Sequence, residues 1–172
     1  MKKFFTPDHY FDDLDCINGE FFKKNNIKII FCDIDNTLIR YSESTLTEYS
    51  SRFLKKVGSL GIRVVLLSNN TDESRGRVFH QKDRVISVPN AKKPLFSKKL
   101  MLDILKKTGI KKNEALVVGD QIFTDVLAGR FCRIKTLLVD PLGPSMLPFF
   151  EVKRFFEKPI KRNFIKKYGK NV

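Results

Sequence analysis

The chain has 172 residues, 42% of them hydrophobic, and a formal net charge of +14, enough apolar material for one domain with one core and enough positive charge to concentrate anionic partners. No stretch approaches the ~20 consecutive apolar residues of a membrane-spanning helix, and Cys16, Cys32 and Cys132 form no C-x-x-C pair. Neither a membrane-spanning helix nor a disulfide scaffold is expected, and a reduced, cytoplasmic protein is.

Along the chain, Pro7, Asp8 and His9 interrupt the start before a signal-peptide core develops, and residues 1–26 read as an extension packed on the core. Residues 27–32 form the first predicted strand, running into Asp33-Ile34-Asp35-Asn36-Thr37. Residues i and i+2 of a strand face the same way. Where the strand gives way to a loop, both acids converge on one substrate and the backbone carbonyl between them is left free. Leu46, Tyr49, Phe53, Val57 and Leu60 then recur at helical spacing, and Gly61 ends that helix.

A second strand over residues 62–67 ends in Ser68-Asn69-Asn70. The Ser68 hydroxyl is placed to bond a phosphoryl oxygen, with Asn69 in support, or to cap the following helix. A third strand over residues 84–88 leads to Ala91-Lys92-Lys93-Pro94, where a lysine before a helix can pair with a phosphate or simply be solvated. Leu100, Met101, Ile104 and Leu105 mark a helix before Gly109, and a fourth strand over residues 115–119 runs into Asp120 and Asp125. Carboxylates there are either hard ligands for Mg²⁺ or a turn residue and a helix-start acid. A fifth strand is expected over residues 135–139, before Asp140-Pro141.

Strands alternating with helices predict an α/β fold: a three-layer α/β/α sandwich around a parallel sheet of about five strands, catalytic over residues 27–145. In such sheets ligands bind beyond the carboxyl ends of the strands, where all four polar segments fall. The gaps between them are too short for a cap domain. A phosphate ester repels a carboxylate nucleophile, so a cation must neutralise the approach before Asp33 attacks phosphorus, with Asp35 as general acid and base.

Taken together, these segments resemble the haloacid dehalogenase superfamily of phosphatases over roughly residues 28–141. The D-x-D-x-T motif matches Asp33, Asp35 and Thr37, the hydroxyl motif Ser68, the lysine motif Lys93, and the acidic motif Asp120 with Asp125. The phrases D-I-D-N-T-L, L-S-N-N, A-K-K-P and G-D-Q-I-F-T-D resemble more specifically the YqeG family, in subclass IIIA. The resemblance implies an aspartyl-phosphate on Asp33, acid/base chemistry by Asp35, and Mg²⁺ on Asp33, the Asp35 carbonyl and Asp120. Asp125 lies five residues after Asp120, one more than in many relatives, and is placed in the outer shell. The family pattern selects Lys93 over Lys92, with a role shared between the adjacent lysines left open.

Members resembling this family include phosphatidylglycerophosphate phosphatases, which makes that lipid the leading expected substrate. Residues 146–172 mix Lys153, Arg154, Lys158, Lys161, Arg162, Lys166, Lys167 and Lys170 with Phe155, Phe156, Phe164 and Tyr168. They read as a basic amphipathic segment, divided by Pro159 into two short helices, that covers the sheet or contacts the inner face of a membrane. Phosphatase action on nucleotide or nucleic-acid phosphates is the enzymatic alternative. A non-catalytic basic binding module on the same fold is the other.

Overall fold

A computed structural model describes residues 4–68, 85–88, 97–144 and 148–172. Within them six parallel strands make one sheet, ordered β1-β6-β5-β2-β3-β4: β1 His9–Phe11, β2 Ile29–Cys32, β3 Arg63–Leu67, β4 Val85–Val88, β5 Ala115–Gly119 and β6 Lys135–Val139. The described helices are α1 Gly19–Lys24, α2 Glu48–Ser59, α3 Ser97–Thr108, α4 Leu127–Cys132 and α5 Pro148–Tyr168.

The central strands are apolar throughout because both their faces are covered. Ile29 and Phe31 pack with Val65, Leu67, Met101 and Leu105, while Ile30 and Cys32 pack with Val64, Leu66, Phe53 and Val57 on the other side. Helix α2 starts at Thr47, whose side chain accepts from the Ser50 amide in a capping box, and Gly61 closes it at φ 75, a left-handed conformation that glycine adopts without strain.

The sheet has one strand more than the five expected. Tyr10 and Phe11 reach inward from β1, a three-residue edge strand paired with β6. Side chains anchor so short a strand: the Asp8 carboxylate accepts from the Thr136 amide at 2.8 Å and pairs with Arg130 at 2.8 Å. The chain passes from β2 outward to β3 and β4, then to β5 and β6 on the other side of β2. In such sheets ligands bind where the direction reverses, which here is beyond the carboxyl ends of β2 and β5.

Contrary to expectation, Pro159 does not divide the C-terminal segment, and α5 runs unbroken from Pro148 to Tyr168. Proline within a helix forfeits one backbone bond and costs about 3 kcal/mol. Here Phe155 and Pro159 both lie on the exposed face, so the carbonyl that loses its partner turns toward water. The opposite face is held down by Phe164, packed with Tyr10, Ile122, Val126 and Leu138. Beyond the helix, Lys170 bridges Asp12 and Asp140, and the Asn171 amide donates to the Tyr10 carbonyl at 2.7 Å.

Candidate active site

The first acid stands where the sheet ends. The Asp33 amide donates to the Val118 carbonyl at 2.9 Å, extending the ladder one step past Cys32 and setting Asp33 beside the end of β5. The chain then wraps around Ile34, whose carbonyl accepts from the amides of Thr37, Leu38 and Ile39 at 3.3, 3.0 and 3.2 Å. The carbonyl between the two acids is thus consumed by the turn, which corrects the expectation that it stays free. Asn36, at φ 59, carries the left-handed residue of this loop, a role its short polar side chain tolerates.

Within this loop the Thr37 hydroxyl donates to Asp33 Oδ2 at 3.4 Å, and the Ser68 hydroxyl reaches Asp35 Oδ2 at 3.4 Å. Ser68 therefore faces the acids. Asn69, Lys92 and Lys93, also singled out in the sequence, lie outside the described residues.

Asp120 and Asp125 come from the end of β5 and the turn after it. An α-helical turn brings residues four apart together, whereas these two are five apart. The extra residue is absorbed by a π-helical turn over Ile122–Val126, a local widening that recurs at functional sites. The carboxyl of Asp125 thereby folds back over Gly119 and accepts from the Gln121 amide and the Thr124 hydroxyl, both at 3.2 Å. One carboxylate oxygen from each of Asp33, Asp120 and Asp125 falls within 4.8 Å of the others, and all three residues are buried.

Three acids packed this closely are electrostatically unfavourable alone. The Asp120 carboxyl is pushed up to about 7, first by burial and then by the charge of Asp125, although Arg154 and Lys161 pull the other way. Asp120 Oδ1 is buried and has no hydrogen-bond partner among the described residues. A set of hard oxygen donors with an unsatisfied buried oxygen fits a hard divalent cation such as Mg²⁺.

Sequence reasoning missed the contribution of α5. Arg154, Glu157 and Lys161 are spaced three and four apart and share one helix face. Arg154 Nη2 lies 2.7 Å from Asp120 Oδ2, Lys161 Nζ donates to the Asp120 carbonyl at 3.4 Å, and Glu157 Oε1 accepts from the Phe123 amide at 3.0 Å. Glu157, itself 1% exposed, thus satisfies an amide at the start of the π-helical turn, where unpaired donors and the backbone dipole favour a carboxylate. The signal was the spacing of 154, 157 and 161, hidden in a run of charges.

Residues 1–143 match the family model described as mitochondrial PGP phosphatase. The chain is 32% identical over 145 residues to the probable phosphatase YqeG of Bacillus subtilis (strain 168), covering 84% of this chain and 83% of that protein. The cobalt-bound deoxy-D-mannose-octulosonate 8-phosphate phosphatase of Haemophilus influenzae has a similar fold, with TM-score 0.54 and 14% identity over 83% of this chain and 91% of that one. So has the 3-deoxy-D-manno-octulosonate 8-phosphate phosphatase of Moraxella catarrhalis, crystallised with magnesium, phosphate and its sugar, with TM-score 0.51 and 15% identity over 85% and 94% of the two chains.

Proposed function

Because this chain belongs to the PGP phosphatase family and is a phosphatase of the haloacid dehalogenase type, we propose that it hydrolyses phosphatidylglycerophosphate, or a closely similar phosphomonoester lipid, through an aspartyl-phosphate on Asp33. The observation that carries the reading is the buried cluster of Asp33, Asp120 and Asp125 at the carboxyl ends of β2 and β5. The Mg²⁺ found in the Moraxella structure supports the choice of ion. Asp33, Asp120 and the Asp35 carbonyl would hold Mg²⁺, with Asp125 beside it, and the ion would neutralise the approach of a carboxylate to an anionic phosphate.

The side chains then divide the work. Asp33 forms its bond to phosphorus as the ester oxygen departs, and Asp35 protonates that oxygen so that the alcohol leaves neutral. Asp35, now ionised, takes a proton from water as it attacks the aspartyl-phosphate, which returns the Asp33 carboxylate and releases inorganic phosphate. Ser68, already turned toward Asp35, binds a phosphoryl oxygen; Lys93 and Asn69 are assigned to the same phosphate by motif. Mg²⁺-dependent phosphate release from phosphatidylglycerophosphate in mixed micelles, beside nucleotides and 3′-phosphorylated DNA, tests the substrate. Preferential lipid turnover is expected. Turnover of only the soluble substrates would discard the lipid and keep the chemistry.

The outer face of α5 supports a lipid substrate. Val152, Phe155 and Phe156 are 53%, 65% and 61% exposed, and Lys158, Arg162 and Lys166 stand exposed on the same helix. Large apolar groups on a helix that also exposes cations, Lys158 Nζ lying 5.9 Å from the centre of the Phe155 ring, suit the boundary of an anionic bilayer. No helix among the described residues is long and apolar enough to cross a membrane, so contact would be peripheral. Burying each Phe is worth about 1.5–3 kcal/mol, so Phe155→Ser with Phe156→Ser is expected to weaken co-sedimentation with phosphatidylglycerol vesicles by at least about tenfold. Equal binding by the variant would remove α5 as the contact.

A further inference from the structure

Resting on the phosphatase reading above, we propose that Arg154 is a phosphate-binding residue of this site, shared between the Asp120 carboxylate and the phosphoryl oxygens of the substrate. The other candidate groups belong to sequence motifs that announce them. Arg154 arrives from the last helix, with its side chain 15% exposed and Nη2 2.7 Å from Asp120 Oδ2.

Among the described residues the pair is incomplete on both sides. An arginine kept for stability tends to meet a carboxylate with two parallel bonds, which satisfies fork and carboxylate together. Here Asp120 Oδ1 and Arg154 Nε are both buried without a hydrogen-bond partner among the described residues. Buried groups left in this state cost stability, and such exceptions call for an explanation. A phosphate dianion beside a divalent cation would supply one: Asp120 Oδ1 would help to hold the cation, and the guanidinium would donate to a phosphoryl oxygen.

The same arrangement couples the two ligands. A cation on Asp120 draws that carboxylate's charge away from Arg154 and repels the guanidinium; a phosphate dianion arriving between the two cations restores the balance. Cation and phosphate therefore strengthen each other's binding, and the effect is reciprocal. Arg154 is held ready for this role: one turn along the helix Glu157 accepts from the Phe123 amide, and Lys161 donates to the Asp120 carbonyl. The helix face carrying Arg154 is thus fixed to the loop carrying Asp120, so little order remains to be imposed when phosphate binds.

Calorimetric titration of the full chain with Mg²⁺ alone, and with orthophosphate in the presence and absence of saturating Mg²⁺, tests the proposal without turnover. Arg154→Gln is expected to weaken orthophosphate binding in Mg²⁺ by about fivefold or more, to shrink the coupling by the same factor, and to leave Mg²⁺ binding alone equal or tighter. Arg154→Lys should fall between, since it keeps charge and loses the fork. Unchanged phosphate affinity would overturn the proposal. So would an equal loss of Mg²⁺ affinity without phosphate, which would make Arg154 a positioning residue for Asp120. If the variants fail to fold, amide exchange in the unaltered protein decides: protection of residues 151–157 must rise when orthophosphate joins Mg²⁺, and no change overturns the idea. A chain that binds no Mg²⁺ and hydrolyses no phosphomonoester would instead sink the phosphatase reading itself.

Discussion

Asp33→Asn is expected to lower phosphomonoester turnover by about 10⁴-fold or more while leaving the fold intact. Asp33 stands where phosphorus must be attacked, with a carboxylate oxygen within 4.8 Å of oxygens of two other buried carboxylates. Asparagine keeps the shape and still accepts from the Thr37 hydroxyl, but its amide cannot attack phosphorus. Phosphate release and circular dichroism check both halves. Retained turnover would remove Asp33 as the nucleophile, and a lost fold would mean that its carboxylate serves the structure first.

Much of the fold could be read from apolar runs. Residues 62–67, 115–119 and 135–139 are short, rich in Val, Leu and Ile, and bounded by polar turns; each is a strand within one residue of its expected limits. Asp33 and Asp120 were legible for the same reason, because they directly follow such runs. What escaped prediction depends on partners distant in sequence. Strand β1 is three residues long, too short for periodicity to register, and owes its place to Asp8, Thr136 and Arg130. Helix α5 continues through Pro159 because its other face is pinned by Phe164 and Glu157, contacts made with β1, β6 and the turn after β5. The position of Asp125 beside Asp120 needed the π-helical turn, which a count of residues cannot reveal.

That turn depends on one hydrogen atom, so Gly119→Ala is expected to damage the site more than any other substitution of comparable size. A Cβ at Gly119 would stand 2.2 Å from Asp125 Cγ and 2.3 Å from Asp125 Oδ2, closer than any real contact. Either Asp125 swings away, leaving the Gln121 amide and the Thr124 hydroxyl without their acceptor, or β5 shifts and carries Asp120 with it. Overpacking of this kind costs about 1–3 kcal/mol, and displacement of an acid by about 1 Å lowers turnover by roughly 10²-fold. Gly58→Ala provides the contrast. Gly58 lies in α2 with nothing within 4 Å of its added Cβ, and alanine there should stabilise the protein by about 0.5–1 kcal/mol and leave turnover alone. Melting temperature, Mg²⁺ titration and phosphate release on the two variants separate a crowded site from a general sensitivity to the extra methyl group. If Gly119→Ala matched the unaltered protein in all three, Asp125 would not be held over the strand end, and its place in the acidic cluster would be lost.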